Sequence, residues 1–140
     1  MNAVDTNVLL YVHDPRDATK QAVAISLVQS LADAVLLWQV ACEYLAASRK
    51  LEPLGYSRLG AWSDVRDLRR VWTTVFPSWD VLDGTETILA RYSLSFWDAM
   101  LIAACLEAGV NCLYSEDFDA YPQVNGLRIV NPFKGLLRPL

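Results

Sequence analysis

The sequence predicts an α/β fold, a three-layer α/β/α arrangement around a mainly parallel sheet, with a single domain spanning residues 1–140. Three observations predict it. Short continuous apolar runs such as Ala34-Val35-Leu36-Leu37-Trp38 are the mark of strands buried on both faces. Between them lie longer stretches whose apolar residues recur at steps of three and four, the helical period. Acids follow directly on two of the short runs, Asp5 after Asn2-Ala3-Val4 and Asp117 shortly after Cys112-Leu113-Tyr114-Ser115. In parallel sheets, function gathers beyond the carboxyl ends of the strands.

In chain order, residues 2–5 form a short buried strand, and residues 6–12 continue as a helical turn that Asp14-Pro15 ends. Ala18, Ala22, Ile25, Val28 and Leu31 set a helix over residues 17–31. Residues 34–38 are a central strand, and a helix then runs through Glu43 to about Lys50. Pro53-Leu54-Gly55 breaks the chain. A stripe of Leu59, Trp62, Val65, Leu68, Trp72 and Val75 predicts one long helix over residues 57–76, stopped by Pro77. Asp80-Val81-Leu82 is expected as a strand and residues 85–92 as a helix. The next helix covers residues 95–108, with Gly109 as its left-handed cap. Residues 112–115 and 127–130 supply two closing strands. Short strands alternating with helices call for a sheet covered on both faces.

The bulk numbers narrow the class. At 140 residues and 15.7 kDa the chain has the size of one ordinary domain. A hydrophobic content of 54%, a mean hydropathy of +0.21 and five tryptophans point to a large core or an apolar oligomer face, hence an expected homodimer. No apolar run reaches the ~20 residues of a membrane helix, and the N-terminus shows no secretory signal, so a soluble cytoplasmic protein is expected. Cys42, Cys105 and Cys112 sit in apolar segments without metal-ligand spacing and are read as reduced, buried thiols. The formal charge of −4 disfavours a generally basic nucleic-acid binder but leaves room for a local basic face.

Four acids lie in apolar surroundings: Asp5, Glu43, Asp98 and Asp117. A carboxylate among Leu, Val and Ile is costly unless paired, protonated or bound to a cation. A shared divalent metal answers all four at once. An acid-only set without His or Cys suits Mg²⁺ or Mn²⁺ better than zinc. Plainer readings stand beside this one. Asp5 can be a helix N-cap, Ser95-x-x-Asp98 resembles a capping box, Glu43 can be a solvated helix residue, and Glu116 or Asp119 can replace Asp117. Thr6, Asn7, Ser115 and Glu116 are expected to support the acids, Asn7 by orienting Asp5 or binding a water and Thr6 in the first turn of the helix. His13 takes no catalytic role.

Asp5-Thr6-Asn7-Val8-Leu9, the mid-chain Glu43, Phe96-Trp97-Asp98-Ala99, Ser115-Glu116-Asp117 and Arg128-Ile129-Val130-Asn131-Pro132-Phe133 follow in order across nearly the whole length. Together they resemble a PIN-domain ribonuclease of the VapC type, the toxin of bacterial toxin–antitoxin pairs. The resemblance implies an α/β/α fold, a Mg²⁺ or Mn²⁺ site at Asp5, Glu43, Asp98 and Asp117, endonucleolytic cleavage of RNA, and a cognate antitoxin that blocks it. None of the four acidic positions departs from the pattern. Hydrolysis by a metal-activated water leaves a 5′-phosphate and a 3′-hydroxyl.

Half of the twelve basic residues, Arg49, Lys50, Arg58, Arg66, Arg69 and Arg70, fall between positions 49 and 70. Arg49, Lys50, Arg66, Arg69 and Arg70 are candidates to hold RNA phosphates. A solvated helix face, offset by Glu52, Asp64 and Asp67, is the competing reading. Two other functions compete. An aspartyl-nucleophile phosphohydrolase wants a second Asp where Asn7 stands. A receiver-like signalling domain wants an acceptor Asp at the end of the central strand, where Trp38-Gln39 stands, and a late Lys that Ser115-Glu116 does not supply. A catalytically inactive PIN-like binding module is the remaining alternative, against which the intact acids count.

Overall fold

The computed structural model describes residues 1–136. Its centre is a six-stranded sheet in the order β3-β2-β1-β4-β6-β5, with β1 at Asn2–Val4, β2 at Ala34–Leu37, β3 at Thr73–Val75, β4 at Cys112–Tyr114, β5 at Gln123–Val124 and β6 at Leu127–Val130. All pairings are parallel except β5 with β6. The four residues of β2 are all buried, as a central parallel strand requires. The helices are α1 (Thr6–Tyr11), α2 (Ala18–Ser30), α3 (Trp38–Ala47), α4 (Arg58–Val71), α5 (Trp79–Arg91) and α6 (Phe96–Ala108), with a 3₁₀ segment at Ser48–Leu54. Val8, Leu37, Val40, Tyr44, Ile88, Ile102 and Leu113 are almost fully buried and form the core between sheet and helices.

Hydroxyl and carboxyl caps start the helices. The side chains of Asp17, Ser57, Ser78 and Ser95 each accept from an amide in the first turn of α2, α4, α5 and α6. Gly109 closes α6 at φ 76°, a conformation glycine adopts without steric cost. The loop between β5 and β6 is Asn125-Gly126, both residues at positive φ, the geometry of a two-residue hairpin.

Several expectations fail. The long helix over residues 57–76 ends at Val71, and Thr73–Val75 pairs with β2 as an edge strand. β-Branched Thr73, Thr74 and Val75 suit a pleated surface better than a fourth helical turn. Residues 80–82 are helical, because the Ser78 cap and Asp80 in the first turn start α5 and put Val81, Thr85 and Ile88 on one buried face. Strand β5 carries little apolar pattern of its own and is paired through the hairpin. The stripe on α4 also departs from the core, since Leu59 is 78% exposed and Trp62 46%. Among the cysteines, Cys105 and Cys112 are buried but Cys42 is exposed.

Candidate metal centre

Strand order places the site. The chain leaves β1 toward β2 on one side and returns to β4 on the other, so the order reverses between β1 and β4. A crevice opens at such a reversal. Asn2 pairs with Cys112 and Val4 with Tyr114, which brings the next residues, Asp5 and Ser115, side by side beyond the strand ends. The Asp5 amide donates to the Tyr114 carbonyl at 2.9 Å, continuing the ladder one step.

Asp5 is 6% exposed. One carboxylate oxygen accepts from the Thr6 amide at 2.7 Å and the other from the Ser115 hydroxyl at 2.7 Å. Asp5 is thus both the N-cap of α1 and a site carboxylate; the two readings coincide. Burial, opposed by those hydrogen bonds and reinforced by the nearby charges of Asp117 and Glu43, pushes its carboxyl up to about 6. Asp117 lies exposed beyond β4, where Asn7 Nδ2 donates to it at 3.0 Å. Its carboxyl is raised by desolvation, against the Asn7 hydrogen bond, and further by Glu116, Asp98 and Asp119. Glu43 on α3 is exposed and receives the Thr6 hydroxyl at 3.3 Å and Gln39 Nε2 at 2.6 Å. Asp98 stands in the first turn of α6, where its own amide donates to Ser95 Oγ at 3.2 Å. The charges of Glu43 and Asp117 thus act on Asp5, and that of Asp98 on Asp117.

The supporting residues divide. Thr6 bridges Asp5 and Glu43, while Ser115 donates to Asp5 and accepts from the Asp117 amide at 3.1 Å. Asn7 orients Asp117 rather than Asp5, and its Oδ1 is buried without a partner. Glu116 turns away from the crevice: Tyr11 donates to it at 2.8 Å and Lys20 at 2.9 Å. That arrangement leaves Asp117 as the acid of this loop that faces Asn7 and Asp98. Sequence reasoning missed Gln39, whose Nε2 joins Glu43 to the Trp97 carbonyl at 3.1 Å and so ties α3 to the start of α6. Its spacing of four from Glu43 on a helix was the available signal. Of the basic candidates, Lys50 lines a cavity that Asn7 also lines, whereas Arg66, Arg69 and Arg70 lie exposed on α4.

A hard cation fits this donor set by its chemistry, four carboxylates and an unpartnered amide oxygen with neither imidazole nor thiolate. Among the described residues no three Asp, Glu, His or Cys side chains are drawn tightly enough to hold an ion as they stand. Glu43 and Asp117 are exposed and are held by Gln39 and Asn7 respectively.

The PIN domain family matches residues 3–127. Solved structures with the same fold include a toxin–antitoxin complex from Klebsiella pneumoniae, at a TM-score of 0.71 and 15% identity over 94% of this chain and 98% of that one. Mycobacterium tuberculosis VapC20, described as a sarcin–ricin-loop-cleaving toxin, is similar at 0.64 and 21% over 91% and 99%. VapBC2 from Rickettsia felis, bound to a DNA fragment from its promoter, is similar at 0.66 and 10% over 93% and 97%. No curated protein matches the sequence significantly.

Proposed function

The chain belongs to the PIN-domain family, and from that premise we propose that it is a Mg²⁺- or Mn²⁺-dependent endoribonuclease, the toxin of a type II toxin–antitoxin pair. The observation that carries the reading is the buried Asp5 carboxyl at the reversal of strand order, linked through Thr6 to Glu43 and through Ser115 to the Asp117 amide. A cluster of mutually repelling acids is costly to a fold, and a divalent cation is what makes it useful.

Asp5, Glu43, Asp98 and Asp117 would hold the ion, which when bound supplies charge for the scissile phosphate and lowers the pKa of the attacking water. Ser115 and the Thr6 amide keep Asp5 ionisable despite its burial. Asn7 and Gln39 fix the directions of Asp117 and Glu43. Hydrolysis of this kind leaves a 5′-phosphate and a 3′-hydroxyl and makes no demand on the ribose 2′-hydroxyl. A cognate antitoxin is proposed to cover the acidic crevice, with a basic side chain competing for the carboxylates. A second copy of the chain is proposed to cover the aromatic face beside it. There Trp38, Phe76, Trp97 and Met100 line a cleft of about 510 Å³, next to Trp79, which is 80% exposed.

The test is cleavage of end-labelled total RNA by purified, partner-free chain with Mg²⁺ or Mn²⁺, with EDTA, and with Asp98→Asn. Discrete metal-dependent fragments bearing 5′-phosphates, at least 100-fold fewer in the variant, are expected. No cleavage by folded, metal-loaded protein would leave an inactive PIN-like binding module as the better reading.

A further inference from the structure

Beside the acidic crevice lies a second cavity, about 240 Å³, between α1 and the 3₁₀ segment. Asn7 and Tyr11 form one wall, Lys50 and Leu51 the other, and Arg16 and Glu116 stand among the remaining lining residues. Asn7 belongs to both places, since its amide donates to Asp117. A strand whose scissile phosphate lies at the carboxylates therefore has this cavity within its immediate path.

The charges of the cavity are unequal. Arg16 is offset by Asp14, which accepts from its Nε at 2.9 Å and its Nη2 at 2.8 Å. That bidentate pair fixes one edge of the guanidinium and leaves its remaining N–H groups outward on a side chain 64% exposed. Glu116 is offset by Lys20. Lys50 is exposed and makes no ion pair among the described residues. With Arg16 taken up by Asp14 and Glu116 by Lys20, Lys50 is left, among the described residues, as the lining cation without an acid partner, in a chain of net charge −4 and next to the acidic crevice. An RNA strand drawn toward those acids is repelled by them everywhere except at the bound metal, and only a cation beside the site offsets that.

Building on the nuclease reading above, we propose that this cavity is a phosphate subsite, in which Lys50 and the free edge of Arg16 hold a backbone phosphate of the RNA strand adjacent to the scissile one. The arginines of α4 take no part in it. Arg66, Arg69 and Arg70 do not line the cavity, and Arg70 lies 3.4 Å from Asp67.

Two measurements with one labelled single-stranded RNA oligonucleotide test this. In cleavage by otherwise wild-type chain, Lys50→Ala is expected to raise KM about fivefold to tenfold with kcat within a factor of two. The slope of log affinity against log salt should fall by about 0.7, the value for one single-strand phosphate contact. Lys50→Arg should restore both, and Arg91→Ala, at the exposed end of α5 and outside the cavity lining, should change neither. In the second measurement, anisotropy with Asp98→Asn protein in EDTA, Lys50→Ala should weaken binding of the same oligonucleotide by a similar factor. Cleavage that persists with KM and salt slope unaltered by Lys50→Ala overturns the subsite and leaves the nuclease standing. Lys50-dependent binding by a chain that never cleaves supports the subsite and removes the nuclease.

Discussion

Ser115 shows how much of the crevice depends on one hydroxyl. It is buried, donates to Asp5, and accepts from the Asp117 amide. Ser115→Ala removes a donor from a carboxylate that water does not reach, at a cost of roughly 1–3 kcal/mol to folding. A fall of several degrees in Tm is expected, with the Asp5 carboxyl rising further above about 6; an unchanged Tm would show that water replaces the hydroxyl. His13 gives a pH signature away from the acids. It stacks on Tyr56 with ring centroids 3.9 Å apart, and its Nε2 lies 3.1 Å from Asp64. Burial lowers its pKa below the ordinary 6.5, more than Asp64 raises it. As pH falls the unfolded chain takes up the proton first. The contribution of neutral His13 is therefore fully present above 6.5 and is lost as pH falls from there through the lower value of the folded state. Urea midpoints between pH 8 and pH 5 should fall more steeply for the wild type than for His13→Gln, and a steeper fall in the variant would reverse the sign. Residues of this kind were partly readable beforehand. Asp5 and Asp117 follow strands and Asp98 opens a helix, so local pattern locates them, whereas the Asn7–Asp117 bond joins positions 110 residues apart and needs the fold.

The elements were readable wherever one local signal had no rival. Helix α6 has a Ser95 cap, an apolar body and a Gly109 stop, and sequence and structure agree on it. Gly109→Ala places a Cβ at φ 76°, at a cost of about 1–2 kcal/mol, and should lower Tm without altering metal binding; no change in Tm would mean the turn relaxes. Ambiguity arose where two periods overlapped. Trp72 and Val75 continue a three- and four-residue spacing from α4, yet the Trp72 amide is the last to close onto the helix, at 2.8 Å to the Leu68 carbonyl, and β2 offers Thr73–Val75 a free edge. Sequence spacing carries no record of that edge. Asp80-Val81-Leu82 failed for the opposite reason: its apolar pair is strand-like, but the Ser78 cap decides it. Strand β5 has two residues, and Asn125-Gly126 was the signal that would have found it.

At the scale of the molecule, the acidic crevice, the cavity bordered by Lys50 and the aromatic cleft bordered by Glu43 and Trp97 gather beyond the carboxyl ends of the strands. Trp38, Phe76, Trp79 and Trp97 are all 47–80% exposed, a concentration of apolar area that single chains rarely present to water. Sedimentation at micromolar concentration should give a dimer for the wild type and a shift toward monomer for Trp79→Ala combined with Phe76→Ala; a monomeric wild type would refute the second copy. Asp5, Glu43, Asp98 and Asp117 are proposed to act as one cation site, with Glu43 and Asp117 exchanging their present partners, Gln39 and Asn7, for the ion. Titration of Mn²⁺ into metal-free protein, followed by electron paramagnetic resonance, tests it with Asp5→Asn, Glu43→Gln, Asp98→Asn and Asp117→Asn beside the wild type. Saturable binding weakened at least tenfold by each substitution is the expected result. Binding that Glu43→Gln and Asp117→Asn leave unchanged, or no saturable binding by the wild type, would contradict it.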